Sequence, residues 1–185
     1  MRTSVFRHAS AAGVAILLAC SGGALAAPTQ GSFGATSTGV VNISASVPSR
    51  VQITGLQDVA FTGQDPASAA SNFQSICVFS NTSTKGYNIK ATGNGASSAF
   101  TIGGTGLTAV PYSVEWAQTA AQTTGTSLTT NTALTGQTST ATTPACSAGP
   151  TTTATLIVRM GTTALQAMQS NTTYSGTLTL LVGPE

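Results

Sequence analysis

Between Val41 and Leu56 the chain writes two short strands on either side of a proline, and no other feature limits the fold as much. Val41, Ile43, Ala45 and Val47 alternate with Asn42, Ser44 and Ser46, a period of two that gives a strand one apolar face. Pro48 has no N–H for a ladder, so the first strand stops there or leaves its sheet before Val51, Ile53 and Leu56 begin the next. Read by itself, the stretch fits better the ordinary first strand of its own sheet.

The rest of the chain points to an all-β fold. Thr, Val, Ile, Ser and Gly dominate, whereas Lys, Glu and Arg, which fill helix surfaces, are almost absent: charged residues are 5% of the whole. Strands are expected at 51–56 and 59–62, at 73–79 with Phe73, Ser75, Cys77 and Phe79 on one face and Ile76 and Val78 on the other, and at 87–91. Phe100 and Ile102 mark a short one. Tyr112, Val114 and Trp116 alternate in another, 156–160 is a stronger apolar run, and 174–182 is the last. Residues 117–154 are rich in Thr, Ala, Gln and Ser and predict a long loop with one or two weak strands; 164–168 predicts a helical turn. Short strands at this spacing predict a two-sheet, immunoglobulin-like sandwich.

The first residues read as an address. Arg2 and Arg7 are followed by an apolar stretch from Ala11 to Ala19 and by Ala24-Leu25-Ala26, a small-residue cleavage site, so 1–26 is expected to be a signal peptide and Ala27–Glu185 the mature chain. Leu17-Leu18-Ala19-Cys20 is an imperfect lipobox, which would instead leave Cys20 acylated. Without Arg2 and Arg7, four basic residues (Arg50, Lys85, Lys90, Arg159) face four acidic ones (Asp58, Asp65, Glu115, Glu185), a net charge of zero. From Trp116 through Val158 there is no charged side chain. Such a surface offers nucleic acid no basic face, and it has little like-charge repulsion to oppose association with copies of itself.

Cys77 and Cys146 are the cysteines left after that cleavage, and an even pair in an exported chain reads as a disulfide. Two thiols without a nearby histidine do not complete a metal shell, and no metal or other cofactor is expected. An enzyme reads poorly: the single histidine, His8, lies in the leader, so Ser-His and Cys-His nucleophile pairs are lacking. Asp58 and Asp65 flank a turn at Gly63 and Pro66 and read better as turn residues than as an acid–base pair. Trp116 and Tyr112 could stack on a sugar, but their alternation with Val114 reads as core packing.

Taken in order, Val41-Asn42-Ile43-Ser44-Ala45-Ser46-Val47-Pro48, Leu56 to Phe61, Tyr87-Asn88-Ile89, Pro111-Tyr112-Ser113-Val114-Glu115-Trp116 and Tyr174-Ser175-Gly176-Thr177-Leu178-Thr179-Leu180 resemble the major subunits of alternative and archaic chaperone-usher fimbriae. These include class 5 fimbrial pilins and spore coat protein U-type domains. The similarity runs from about Gly39 to the end of the chain. The resemblance implies an immunoglobulin-like domain, 48–185, lacking its last strand, and a donor strand within the extension 27–47. A periplasmic chaperone would fill the open groove first, and at an outer-membrane usher the extension of the next subunit would replace it. Val41, Ile43, Ala45 and Val47 would be the inserting side chains, joining copies of this chain or related pilins into a surface fimbria. Spore coat U-type domains place a cysteine just after the first strand, where this chain has Ser49-Arg50-Val51, so Cys77 would pair with Cys146. The extension is also longer and richer in glycine than a bare donor strand. Either departure also fits a tip subunit, or a second reading, a secreted, self-complemented sandwich acting as an adhesin or coat protein.

Overall fold

The computed structural model describes residues 27–185; the expected signal peptide and Cys20 lie outside them. The chain divides into two compact units, one ending at Ser46 and the other Val47–Glu185. In the first, Thr29 and Val40 exchange backbone hydrogen bonds of 3.0 and 2.9 Å. Residues 41–46 form no strand there, nor does Val47 at the start of the second unit, and Val41 and Ile43 are exposed. A strand is defined by its ladder, and an alternating sequence without a partner edge stays unassigned.

The second unit is an antiparallel two-sheet sandwich of the immunoglobulin-like kind. Its strands are β1 (Val51–Thr54), β2 (Ala70–Ser80), β3 (Gly86–Gly93), β4 (Thr101–Ile102), β5 (Val110–Pro111), β6 (Ser113–Ala117), β7 (Thr126–Ser127), β8 (Ala133–Thr138), β9 (Ala154–Met160) and β10 (Leu178–Pro184); one short helix, α1 (Thr162–Gln166), follows β9. A five-stranded sheet has the order β1-β2-β9-β6-β7, a three-stranded sheet β10-β3-β8, and β4 and β5 form a separate pair. The core is where the two sheets meet. Ile76 and Val78 of β2, Val114 and Trp116 of β6, and Leu156 and Val158 of β9 pack with Tyr87, Ile89 and Ala91 of β3. The expected faces of β2 are therefore the observed ones. Trp116, 1% exposed, donates its indole N–H to the hydroxyl of Tyr87 at 3.2 Å, and the rings meet edge to face. Trp116 is a core residue, with no face free for a sugar.

Cys77 and Cys146 are bonded, with Cα atoms 5.9 Å apart. Their bridge lies on the outward side of β2, where Cys77, Phe79, Ala141 and Cys146 form a small apolar cluster of their own. The Thr-rich segment is more ordered than its composition suggests. It supplies β7 and β8, and between β6 and β7 it folds over the outward face of the five-stranded sheet. There Thr155 donates its hydroxyl to the carbonyl of Thr119 at 2.8 Å and accepts from the N–H of Gln122, while Ser75 accepts from the N–H of Ala121. Arg159 anchors the same loop: it pairs with Glu115 at 2.9 Å, donates to Ser71 and to the carbonyl of Thr123, and lies over the ring of Phe73. Gly125 closes the loop onto β6, where a Cβ would stand 2.6 Å from the carbonyl oxygen of Trp116.

Two expected strands are changed. Residues 59–62 form none, although Val59 and Phe61 are half-buried against the core. The last strand begins at Leu178, not Tyr174, because Ser175 pairs instead with Gly103 in an isolated bridge.

Candidate functional site

The feature that sets this sandwich apart is an open crevice of about 880 Å³ along one side of it. One wall is β10, through Leu178 and Leu180; the other is the strandless segment 56–63, through Val59 and Phe61. Leu156, Val158 and Met160 of β9 form the floor, and Ile102, Tyr112, Leu165, Met168 and Tyr174 close the far end. The crevice therefore opens directly onto the core side chains that hold the sheets together. Those floor residues are no more than 5% exposed, so the walls stand close above them.

The wall formed by β10 is a sheet edge. β10 pairs with β3 from Leu178↔Gly93 to Pro184↔Tyr87 and, among the described residues, has no hydrogen-bonded strand on its other side. The N–H of Glu185 donates to Gly86 at 3.1 Å, which fixes the parity. Alternate residues of an antiparallel strand aim their N–H and C=O groups to opposite sides, so those of Leu178, Leu180 and Val182 point away from β3. Their side chains pack on the core. Pro184 ends the free side at the position that would present the next N–H.

The opposite wall is tied down lightly. The side-chain amide of Gln74 on β2 accepts from the N–H of Gln57 at 3.1 Å and donates to its carbonyl at 2.8 Å, standing in for one rung of a ladder. Further along, Asp65 accepts from the N–H of Ala67, a turn contact as its neighbours Gly63 and Pro66 suggest. Burial at the closed end raises the pKa of the Tyr112 phenol above its ordinary value. At the same end Tyr174 accepts from the N–H of Gln169 at 3.1 Å, and Gly176 fits where a Cβ would lie 2.8 Å from the carbonyl of Thr101.

Of the residues singled out as inserting side chains, Val47 begins the second unit and is 83% exposed, while Val41 and Ile43 in the first unit are 75% and 92% exposed. Ala45 is exposed as well. The family resemblance implies an open groove, but the residues that line this crevice are not evident in the sequence, because they come from segments far apart in the chain. Its one local signal was the pair Val59 and Phe61, an alternation that reads as a strand until its missing partner is known. Among the described residues no group of His, Cys, Asp and Glu is placed to hold a metal ion. No protein-family model matches the chain, and no curated protein does.

Proposed function

We propose that this chain is the structural subunit of a bacterial surface fimbria, and that its crevice receives residues 41–47 of a second copy. The observation that carries the reading is the free edge of β10 beside a crevice floored by core residues, in a chain that also displays an alternating apolar stretch of matching length. The crevice is lined on this side by residues 172–178 and by Leu180, a stretch long enough for the seven residues Val41 to Val47.

The chemistry is strand addition. N–H and C=O groups of the incoming strand pair with those of Leu178, Leu180 and Val182, and every second side chain enters between the walls. Val41, Ile43 and Val47 each contribute roughly 1.5–3 kcal/mol of burial, and Ala45 fits where space is least. Segment 56–63 gives way to admit them, since a single side chain, Gln74, replaces the ladder that a strand there would have. The zero net charge of Ala27–Glu185 lets copies approach without repulsion. A subunit of this kind carries no catalytic group; before assembly its crevice is covered by a periplasmic chaperone, and an outer-membrane usher exchanges that cover for the next subunit's strand.

The test is to export the chain together with a chaperone and usher and to run the surface material unboiled and boiled on a denaturing gel. The expected result is a ladder that collapses on boiling and is missing for Ile43→Asp, with the thermal unfolding of the variant domain unchanged. Monomer in every lane would overturn the reading in favour of a self-complemented secreted module.

A further inference from the structure

We propose that Asn81 is a positioning residue that directs the extension out of its own domain, so that residues 41–47 reach another copy's crevice instead of folding back into theirs. The inference rests on the donor-strand reading above and adds to it the reason why the strand is given away.

Asn81 lies where the ladder between β1 and β2 runs out. The last pair of that ladder is Val51↔Ser80, and the N–H of Asn81 continues it by donating to the carbonyl of Arg50 at 3.1 Å. Beyond this point β2 has no backbone to offer, because the chain turns through 82–85, where Lys85 donates to Thr82, and enters β3. The side chain of Asn81 takes over. Its Oδ1 accepts from the N–H of Arg50 at 2.6 Å, and its Nδ2 donates to the carbonyl of Pro48 at 2.9 Å. Residues 48 and 50 face the same side of an extended chain, so one amide completes both rungs. Pro48 has no N–H to satisfy, and the match is complete. Asn81 thus holds 48–50 extended, in line with β1.

That alignment decides between two destinations. β1 starts at the end of the sandwich where β10 finishes, since Pro184 pairs with Tyr87 and Glu185 with Gly86, just after the turn that leaves Asn81. To enter its own crevice the extension must reverse within Pro48–Arg50, giving up both Asn81 side-chain bonds. It would then run in the same direction as β10, forming a parallel pair, the weaker kind. A strand from another copy is free to enter antiparallel. Two net hydrogen bonds correspond to roughly 30-fold in the balance between the two outcomes.

The test uses the exported chain, unfolded and refolded at low concentration, with Asn81→Ala, Asn81→Asp and Asn81→Ala/Ile43→Asp alongside. Each is assayed for its ladder on an unboiled gel and for uptake of a fluorescent peptide with the sequence of residues 38–50. The wild type is expected to form a ladder and take up peptide. Asn81→Ala is expected to give monomer that takes up peptide about 30-fold less, because its own strand occupies the crevice. Uptake should return in the double variant, whose strand cannot close, which a merely structural role for Asn81 would not produce. Asn81→Asp keeps the acceptor for Arg50 but loses the donor to Pro48; it should fall between, and it replaces Asn81→Ala if that variant fails to unfold cooperatively. Wild-type behaviour of both substitutions would overturn the role of Asn81 and leave the donor-strand reading intact. A wild type with neither ladder nor uptake would remove both.

Discussion

Removing one buried hydroxyl should measure how the two sheets are joined. Tyr87 and Trp116 come from opposite sheets, both are essentially inaccessible to water, and Tyr87 accepts the indole N–H at 3.2 Å. Tyr87→Phe keeps the ring and its edge-to-face contact but leaves that N–H buried without a partner, at a cost of roughly 1–3 kcal/mol. For a domain of this size each kcal/mol lowers Tm by about 2–4 °C. The effect should also depend on pH. Burial, opposed in smaller part by the Trp116 bond, pushes the Tyr87 phenol from 10.0 up to about 12. The unfolded chain therefore loses this proton near pH 10 while the folded one keeps it, so the wild type's advantage is whole below 10 and is lost as pH rises through 12. Between those values the loss approaches about 1.4 kcal/mol per pH unit. Reversible urea unfolding followed by fluorescence of Trp116, the chain's one tryptophan, reads both quantities. The stability difference between wild type and Tyr87→Phe should shrink from pH 9 to pH 12. Equal stability at pH 7, or a difference that stays constant across the alkaline range, would refute the claim that this hydroxyl serves a buried donor.

Replacing Cys77 and Cys146 together by alanine should cost about 4 kcal/mol, as the loop closed by residues 69 apart in sequence implies, and is checked by urea unfolding with and without reductant. Arg159→Met should leave the core intact but release the loop after β6, so amide exchange at Ala121, Gln122 and Gly125 should accelerate while β9 stays protected. Ala45→Pro keeps Val41, Ile43 and Val47 of the proposed donor strand and removes an N–H on the side that would pair with β10; the heat-sensitive ladder should weaken by about tenfold or more, read as the dissociation rate of labelled subunits. Ser44→Asp, on the outward face of that strand, should assemble nearly as the wild type does, measured by the same rate.

The strands that the sequence revealed are those in which a period of two coincides with burial on one face, as in β2, β3 and β6. There the side chains that alternate in the sequence are the ones that meet between the sheets. The alternation at 59–61 and at 41–47 is as regular, yet neither stretch is a strand, because alternation reports a face and a strand also needs an edge to pair with. The Thr-rich segment was obscure for a different reason. Its order comes from hydroxyls and a guanidinium on other strands, Ser75, Thr155 and Arg159, and nothing local to residues 118–125 announces those partners. Cys77 and Cys146 were legible as a pair by elimination. An open groove was expected only through the family resemblance, and its lining was not legible in the residues, being an absence beside β10 that appears only when both walls are in place.

The energetics of the proposed joint place its affinity in the backbone. Ordering a residue costs roughly 1–2 kcal/mol, and Val41 to Val47 must all be ordered, whereas only Val41, Ile43 and Val47 return roughly 1.5–3 kcal/mol each by burial. Side-chain burial therefore falls short of offsetting the ordering cost. The balance falls to the ladder on the free edge of β10, where Leu178 and Leu180 line a crevice with an apolar floor. Hydrogen bonds made there are shielded from water, which makes them costly to open once formed. The same reasoning explains why a neutral, weakly apolar strand suffices. With the ladder supplying affinity, the alternating side chains need only fix which residue of the strand lies over which residue of β9, and a slip by one residue would turn Asn42, Ser44 and Ser46 onto Leu156 and Val158.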